Sequence, residues 1–349
     1  MKFNELYDSI YQQVTSPNGH RVVTFIQGRP GGGKSALTRK LARTIAEELS
    51  IPTERIVEFN ASLRDPVDIM GIPMKSGDGS HCEWLPPTEF WNLRDGVGPC
   101  ILILEELTDA PIAMQNPMCR LILDRYAGNL KLSDELYIFA SGNRVEDRSG
   151  ANRMSTKLSN RMRVLDFEED INDWVLWAKE ENLPEELIAF LQYRPELLCD
   201  FDPSRNINPT PRAWENVSRT PDFCNDPHRR KYLRHVQGDV GEGAAREYVA
   251  FKRTWKKTIS TQQILADPLH VKLPEALDFQ YASVSQLCYY LNADSSFDDI
   301  DAGFAFISRC SPELQAMALQ QTMATIPMSR LFESKHFQAV MNNVGKSTC

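Results

Sequence analysis

One stretch restricts this chain more than any other. Between the apolar run VVTFI and the amphipathic segment SALTRKLARTIAEEL lies Gly28-Arg29-Pro30-Gly31-Gly32-Gly33-Lys34-Ser35, a full match to G-x-x-x-x-G-K-[ST] in a strand-to-helix setting. Glycines at such a bend let backbone N–H groups turn inward around a phosphate, and the helix start adds partial positive charge. The expected nucleotide-binding residues are Gly28, Pro30, Gly31, Gly32, Gly33, Lys34, Ser35 and Ala36. Lys34 is placed to bridge the β- and γ-phosphates, and the Ser35 hydroxyl to ligate Mg²⁺.

A phosphate loop does not define a reaction without a metal-side acid and a group that handles water. Downstream, PCILILEELTDAP carries a short apolar run, Ile101 to Leu104, that reads as a central parallel strand buried on both faces. It ends in Glu105 and Glu106, where open α/β sheets bind ligands. Glu105 is expected to hold Mg²⁺ through water, and Glu106 to polarise the attacking water. A third strand, ELYIFASGNR, ends in Asn143, whose amide is placed to orient water near a γ-phosphate; taken alone, GN is also plain turn chemistry.

In that order the motifs resemble the AAA+ ATPases, and among them the MoxR-like branch, from about residue 20 to about residue 250. GRPGGGKS corresponds to Walker A, LILEE to Walker B and Asn143 to sensor 1. KLSNRMRVLDF resembles the end of the core, where the family keeps an arginine that acts on a neighbouring copy. Arg161 matches it best, with Arg163 in reserve. TPRAWENVS resembles the sensor 2 helix, with Arg212 as its arginine, and Pro211 suits a helix start. GEGAAREYVAFKR resembles the region that closes MoxR-like lids. A planar, permanently charged guanidinium suits phosphate oxygens. Arg144, Arg148 and Arg153 follow sensor 1 without an assigned role. Glu105 departs from the family, which has Asp there. The extra methylene moves the carboxylate by ~1.5 Å, a shift that water-mediated contact absorbs, so slow turnover is expected with binding intact.

The resemblance implies an α/β P-loop NTPase (AAA+) core with a parallel sheet over residues 1–170, an α-helical lid over 171–257 and a mainly helical C-terminal extension over 258–349. The 349 residues suffice for two or three domains. MKFNELYDSIYQQV places Phe3, Leu6, Tyr7, Ile10, Tyr11 and Val14 at helical intervals and reads as a packing helix, not a signal peptide. Eight dispersed cysteines, without a CxxC pair, point to thiols in a reducing compartment. Neither they nor the six histidines show metal spacing. No apolar stretch approaches the ~20 residues that cross a bilayer, and a cytoplasmic protein is expected.

The long segment DPVDIMGIPMKSGDGSHCEWLPPTEFWNL lies where MoxR-like proteins carry an insert facing the ring pore. Met70, Ile72, Met74, Trp84, Phe90 and Trp91 either grip a substrate there or, for both tryptophans, belong to the core. RYAGNLKLSDELYI reads as the hairpin before sensor 1. Trp174 and Trp177 read as packing residues of the lid, and CDFDPSRNINPTPR as a loop between lid helices. DPHRRKYLRH is a basic cluster, read as a solvated helix before a contact with nucleic acid or a partner's acidic face.

Together these features point to an ATP-hydrolysing, ring-forming homo-oligomer, a hexamer by resemblance. Its implied partner is a protein client, with a von Willebrand A domain protein as one candidate. The net charge of -8 weighs against a nucleic-acid motor or loader, which stays as an alternative. A nucleotide-dependent assembly switch with little hydrolysis is the other.

Overall fold

Alternation along the central strands decides how this chain layers. Ile101 and Ile103 face one side of a sheet, and Leu102 and Leu104 face the other. The first pair joins Ile26 and Phe139 beneath two helices, α1 (Phe3–Thr15) and α2 (Lys34–Glu48), which contribute Leu6, Ile10, Val14, Leu37, Leu41 and Ile45. The second pair joins Phe25, Ile138 and Ala140 beneath the helix Gln115–Asp124 and Phe90. Each such buried side chain contributes ~1.5–3 kcal/mol. With both faces covered, strands of continuous apolar residues follow. The computed structural model describes residues 1–147, 150–220, 227, 230–255 and 257–347, with side chains through 345 in the last stretch. Arg148, Cys224, His228, Arg229 and Cys349 lie outside the described residues.

The strands are β1 (Thr24–Gly28), β2 (Ile56–Asn60), β3 (Ile72–Lys75), β4 (Cys82–Leu85), β5 (Cys100–Glu105), β6 (Tyr126–Ala127), β7 (Leu130–Lys131), β8 (Leu136–Asn143) and β9 (Arg163–Asp166). Five form one sheet in the order β2-β5-β8-β1-β9, parallel throughout. Parallel pairing gathers the strand tips along one edge. Gly28 stands opposite Asn143, and Asn60 opposite Glu105.

Two antiparallel hairpins stand apart from this sheet, β3–β4 and β6–β7, the second at the place expected for a hairpin before Asn143. Every residue of β3 and β4 is exposed. Trp84 and Trp91 are 40% and 49% accessible, so neither is core, whereas Phe90 is fully buried and packs on Phe59 at 5.5 Å between ring centroids. No helix of the described residues is long and apolar enough to cross a membrane.

The chain forms two compact units. One comprises Met1–Trp174 with Cys199–Ala213; the other comprises Val175–Leu198 with the residues from Trp214 on. The second is helical, including Glu185–Tyr193, Glu242–Trp255, Leu277–Tyr290 and Pro312–Met323. Ser296 and Ser311 cap two of its helices by accepting from Asp299 N and Leu314 N, contacts worth ~1 kcal/mol each. Its core centres on Trp214, which donates from Nε1 to Leu197 O at 2.7 Å and packs against Phe190. The buried Lys252 ammonium pairs with Glu186 at 2.6 Å and lies over the Tyr232 and Tyr248 rings. Glu186→Gln leaves that ammonium without a counter-charge, and we expect a loss of about 3 kcal/mol of unfolding free energy in urea titrations.

Candidate functional site

The loop after β1 takes its shape from glycine. Gly31 and Gly33 have φ of +75° and +118°, which side-chain-bearing residues rarely adopt. α2 then begins at Lys34, so the N–H groups of Lys34, Ser35 and Ala36 lie in a first turn without intrahelical acceptors. The Lys34 side chain folds back over the loop. Its Nζ donates to Gly28 O at 2.9 Å, to Arg29 O at 2.6 Å and to Asn143 Oδ1 at 3.0 Å. Burial lowers its pKa to about 8; Arg212 pushes the same way, and Glu169, Asp147 and Asp109 oppose.

The two acids at the end of β5 and just after it have different surroundings. Glu105 Oε1 is buried without a hydrogen bond and lies 3.0 Å from Arg39 Nη2, an ion pair that the α2 guanidinium shares with Glu58. Glu106 turns outward on a left-handed backbone, φ +53°, a strain of ~1 kcal/mol or more. Its Oε2 accepts from the Ser62 hydroxyl. Asn60, at the tip of β2, accepts from Ser62 N at 3.0 Å and so fixes that serine.

Asn143 is held through both main chain and side chain. Thr108 Oγ1 accepts from Asn143 N at 2.8 Å and donates to Asn143 O at 3.0 Å. Gly142 makes room for this, because a Cβ there would lie 2.6 Å from Thr108 Oγ1. The Asn143 Nδ2 donates to Asp109 Oδ2 at 2.7 Å. Arg144 donates to Phe167 O at 3.2 Å and lies 3.4 Å from Asp166.

On the far side of the loop sit residues with no motif to announce them. The carboxylate of Glu169 presses on Gly32, where an added Cβ would lie 2.2 Å from Oε1. Arg29 donates to Cys199 O at 3.4 Å, and Arg212 N donates to Gly31 O at 3.3 Å. The segment expected as a loop between lid helices thus lies against the phosphate loop. Glu169 adds negative charge where an anion would bind. Glu169→Gln should tighten triphosphate binding about tenfold, from ~1–2 kcal/mol of relieved repulsion. Gly32→Ala should instead weaken binding, because its Cβ would meet the Arg29 carbonyl oxygen at 3.3 Å as well as the Glu169 carboxylate, and so disturb the loop backbone. Calorimetric affinities of both variants check this.

Loop, acids and amide are brought together; the arginines assigned to a neighbouring copy are not. Arg163 stands opposite Thr24, at the sheet edge away from the loop, and bonds Gln13. Arg161 precedes it and donates to Lys157 O at 3.3 Å. The Arg212 side chain is exposed.

Four carboxylate atoms and one guanidinium nitrogen near the loop are buried without a hydrogen bond: Glu105 Oε1, Asp109 Oδ1, Asp147 Oδ2, Glu169 Oε1 and Arg144 Nε. Loop donors and strand-tip acids fit a nucleoside triphosphate with a divalent cation. Among the described residues, no group of three or more His, Cys, Asp or Glu could hold a metal by itself. Ser35 and Glu105 would hold it together with the phosphates.

The strand order, the glycine-shaped loop and the acids at the strand tips define a P-loop NTPase α/β fold with a mainly helical C-terminal part. No family model matches the sequence, and no curated protein matches it. Solved structures do. NtrX from Brucella abortus is 19% identical over 62% of this chain and 49% of its own, with a TM-score of 0.37, so the chain spans about half the length of that protein. Domain III of the replication initiation protein DnaA from Thermotoga maritima is 16% identical over 71% of this chain and 90% of its own, TM-score 0.42. DnaA from Aquifex aeolicus, bound to AMPPCP, is 15% identical over 98% and 94%, TM-score 0.39. These are likenesses of fold, and the class stands on this chain's own strand order and loop.

Proposed function

We propose that this chain is an AAA+ ATPase of the MoxR-like branch. On this reading it forms a ring of identical copies, a hexamer, and remodels a protein client, a von Willebrand A domain protein being the client class that the resemblance names. One observation carries the ATPase reading. Lys34 of the loop is bonded to Asn143 of β8 at the edge where Glu105 ends β5 and Glu106 follows it.

In this reading Lys34 neutralises the β- and γ-phosphate oxygens, and Glu106 accepts a proton from the attacking water. Asn143 orients that water in line with the γ-phosphorus. The bond to the bridging oxygen breaks, giving ADP and phosphate. Ser35 and Glu105 would hold Mg²⁺, which would supply charge neutralisation for the phosphates. Arg161 of a neighbouring copy and the exposed Arg212 add positive charge. The apolar β3–β4 hairpin offers a client-gripping surface, with Ile72, Met74 and Trp84 exposed.

Calorimetry with ATP and GTP, with light scattering of wild type and Arg161→Ala, tests the reading. We expect ATP binding by both and nucleotide-dependent assembly weakened in the variant. No heat with either nucleotide overturns it. A second reading, the assembly switch with little hydrolysis, draws on the Arg39–Glu105 ion pair, because Arg39 competes with the cation for that carboxylate.

A further inference from the structure

An amide side chain has an accepting end and a donating end, and its neighbours decide which faces where. For Asn143 that choice is forced. Lys34 only donates, so Oδ1 faces it at 3.0 Å. An ionised Asp109 only accepts, so Nδ2 faces it at 2.7 Å. Asp109 is itself fixed in the turn after β5, where its N–H donates to Glu106 O at 3.0 Å. Its neighbour Thr108 clamps the Asn143 main chain from both sides. The second Asp109 oxygen is buried without a hydrogen bond, so among the described residues this carboxylate makes its one side-chain bond to Asn143. Such burial is costly for a residue that serves only as filler.

We propose that Asp109 is a positioning residue that fixes the orientation of the Asn143 amide for the chemistry at this site. The inference rests on the ATPase reading. All three N–H groups of Lys34 are engaged in the structure, two by its own loop and one by Asn143. A γ-phosphate oxygen takes the lysine from Asn143, whose amide stays behind because Asp109 holds its nitrogen. The released Oδ1 then accepts one hydrogen of the attacking water while Glu106 accepts the other, leaving a lone pair aimed at phosphorus. Without Asp109 the amide rotates freely and presents its donating end to the same water.

The test compares wild type, Asp109→Ala and Asp109→Asn for steady-state ATP turnover, nucleotide affinity by calorimetry, and solvent exchange of the Asn143 side-chain amide protons by NMR. Asp109→Ala is expected to lower kcat about tenfold with KM and affinity within about threefold, the signature of a lost transition-state contact. Asp109→Asn retains an accepting oxygen and should recover most of the rate. The Asn143 amide protons should exchange slowly in wild type and fast in Asp109→Ala. Wild-type turnover in Asp109→Ala, equal losses in both variants, or fast amide exchange in wild type overturns the inference. A wild type that binds no nucleotide overturns the site reading and this inference together, whereas an active wild type with an indifferent Asp109→Ala overturns this inference alone.

Discussion

Lys34→Met should remove triphosphate binding at neutral pH, by a factor of about a hundred or more, and leave the folded protein about as stable as before. Binding falls because the ammonium that folds back over the loop is gone. Stability holds because two effects oppose each other. Burial lowers the Lys34 pKa from 10.5 to about 8, so keeping it charged costs ~3 kcal/mol of folding free energy. Methionine relieves that cost but leaves Gly28 O, Arg29 O and Asn143 Oδ1 without their donor, at ~1 kcal/mol each. The pH dependence has a definite sign. Below pH 8 the lysine is protonated in both folded and unfolded chains and contributes no slope. Between about 8 and 10.5 the unfolded chain holds a proton that the folded one has lost, so stability rises with pH. Wild type should therefore gain on Lys34→Met across that window in paired denaturant titrations. Triphosphate affinity moves the other way, weakening about fivefold from pH 8 to 9 as the ammonium with its pKa of about 8 is lost. A flat affinity profile, or a Lys34→Met protein that still binds ATP, contradicts the role given to this lysine.

Glu106→Gln should slow ATP turnover at least about a hundredfold while nucleotide binding survives. Glutamine keeps the shape, and its amide oxygen still accepts from Ser62, but it cannot take up a proton at neutral pH. Glutamine occupies the same left-handed position, φ +53°, as readily as glutamate, so the expected loss is chemical and not a matter of folding. Ser62→Ala should fall between, about tenfold slower, because the carboxylate remains but is no longer held. Steady-state phosphate release measures all three. A wild-type rate no higher than that of Glu106→Gln would favour the assembly switch over the ATPase. Held with ATP, the same variant should retain a protein partner in a pull-down, and elution of nucleic acid alone would reverse the ranking of clients.

What the sequence alone determined is local. GRPGGGKS reads directly because φ at Gly31 and Gly33 and a helix start at Lys34 depend on adjacent residues. LILEE and ASGN read because a short apolar run bounded by polar residues makes a strand with a tip. The N-terminal helix read from its spacing, and Leu6, Ile10 and Val14 are its buried residues. The partners of those motifs were decided only in three dimensions. Ser62, Arg39, Asp109 and Glu169 belong to no motif, and each acts on a residue that its own neighbours in the chain do not specify. Phe90 and Trp91 are consecutive aromatics, yet one is buried and the other exposed, a choice that packing on Phe59 makes. Asn143 reaches Lys34 because β8 lies beside β1, a pairing of strands more than a hundred residues apart. Torsion preferences and hydrophobic period act over a few residues and can be read along the chain. Hydrogen bonds and ion pairs between distant segments exist only once the sheet has set those segments side by side.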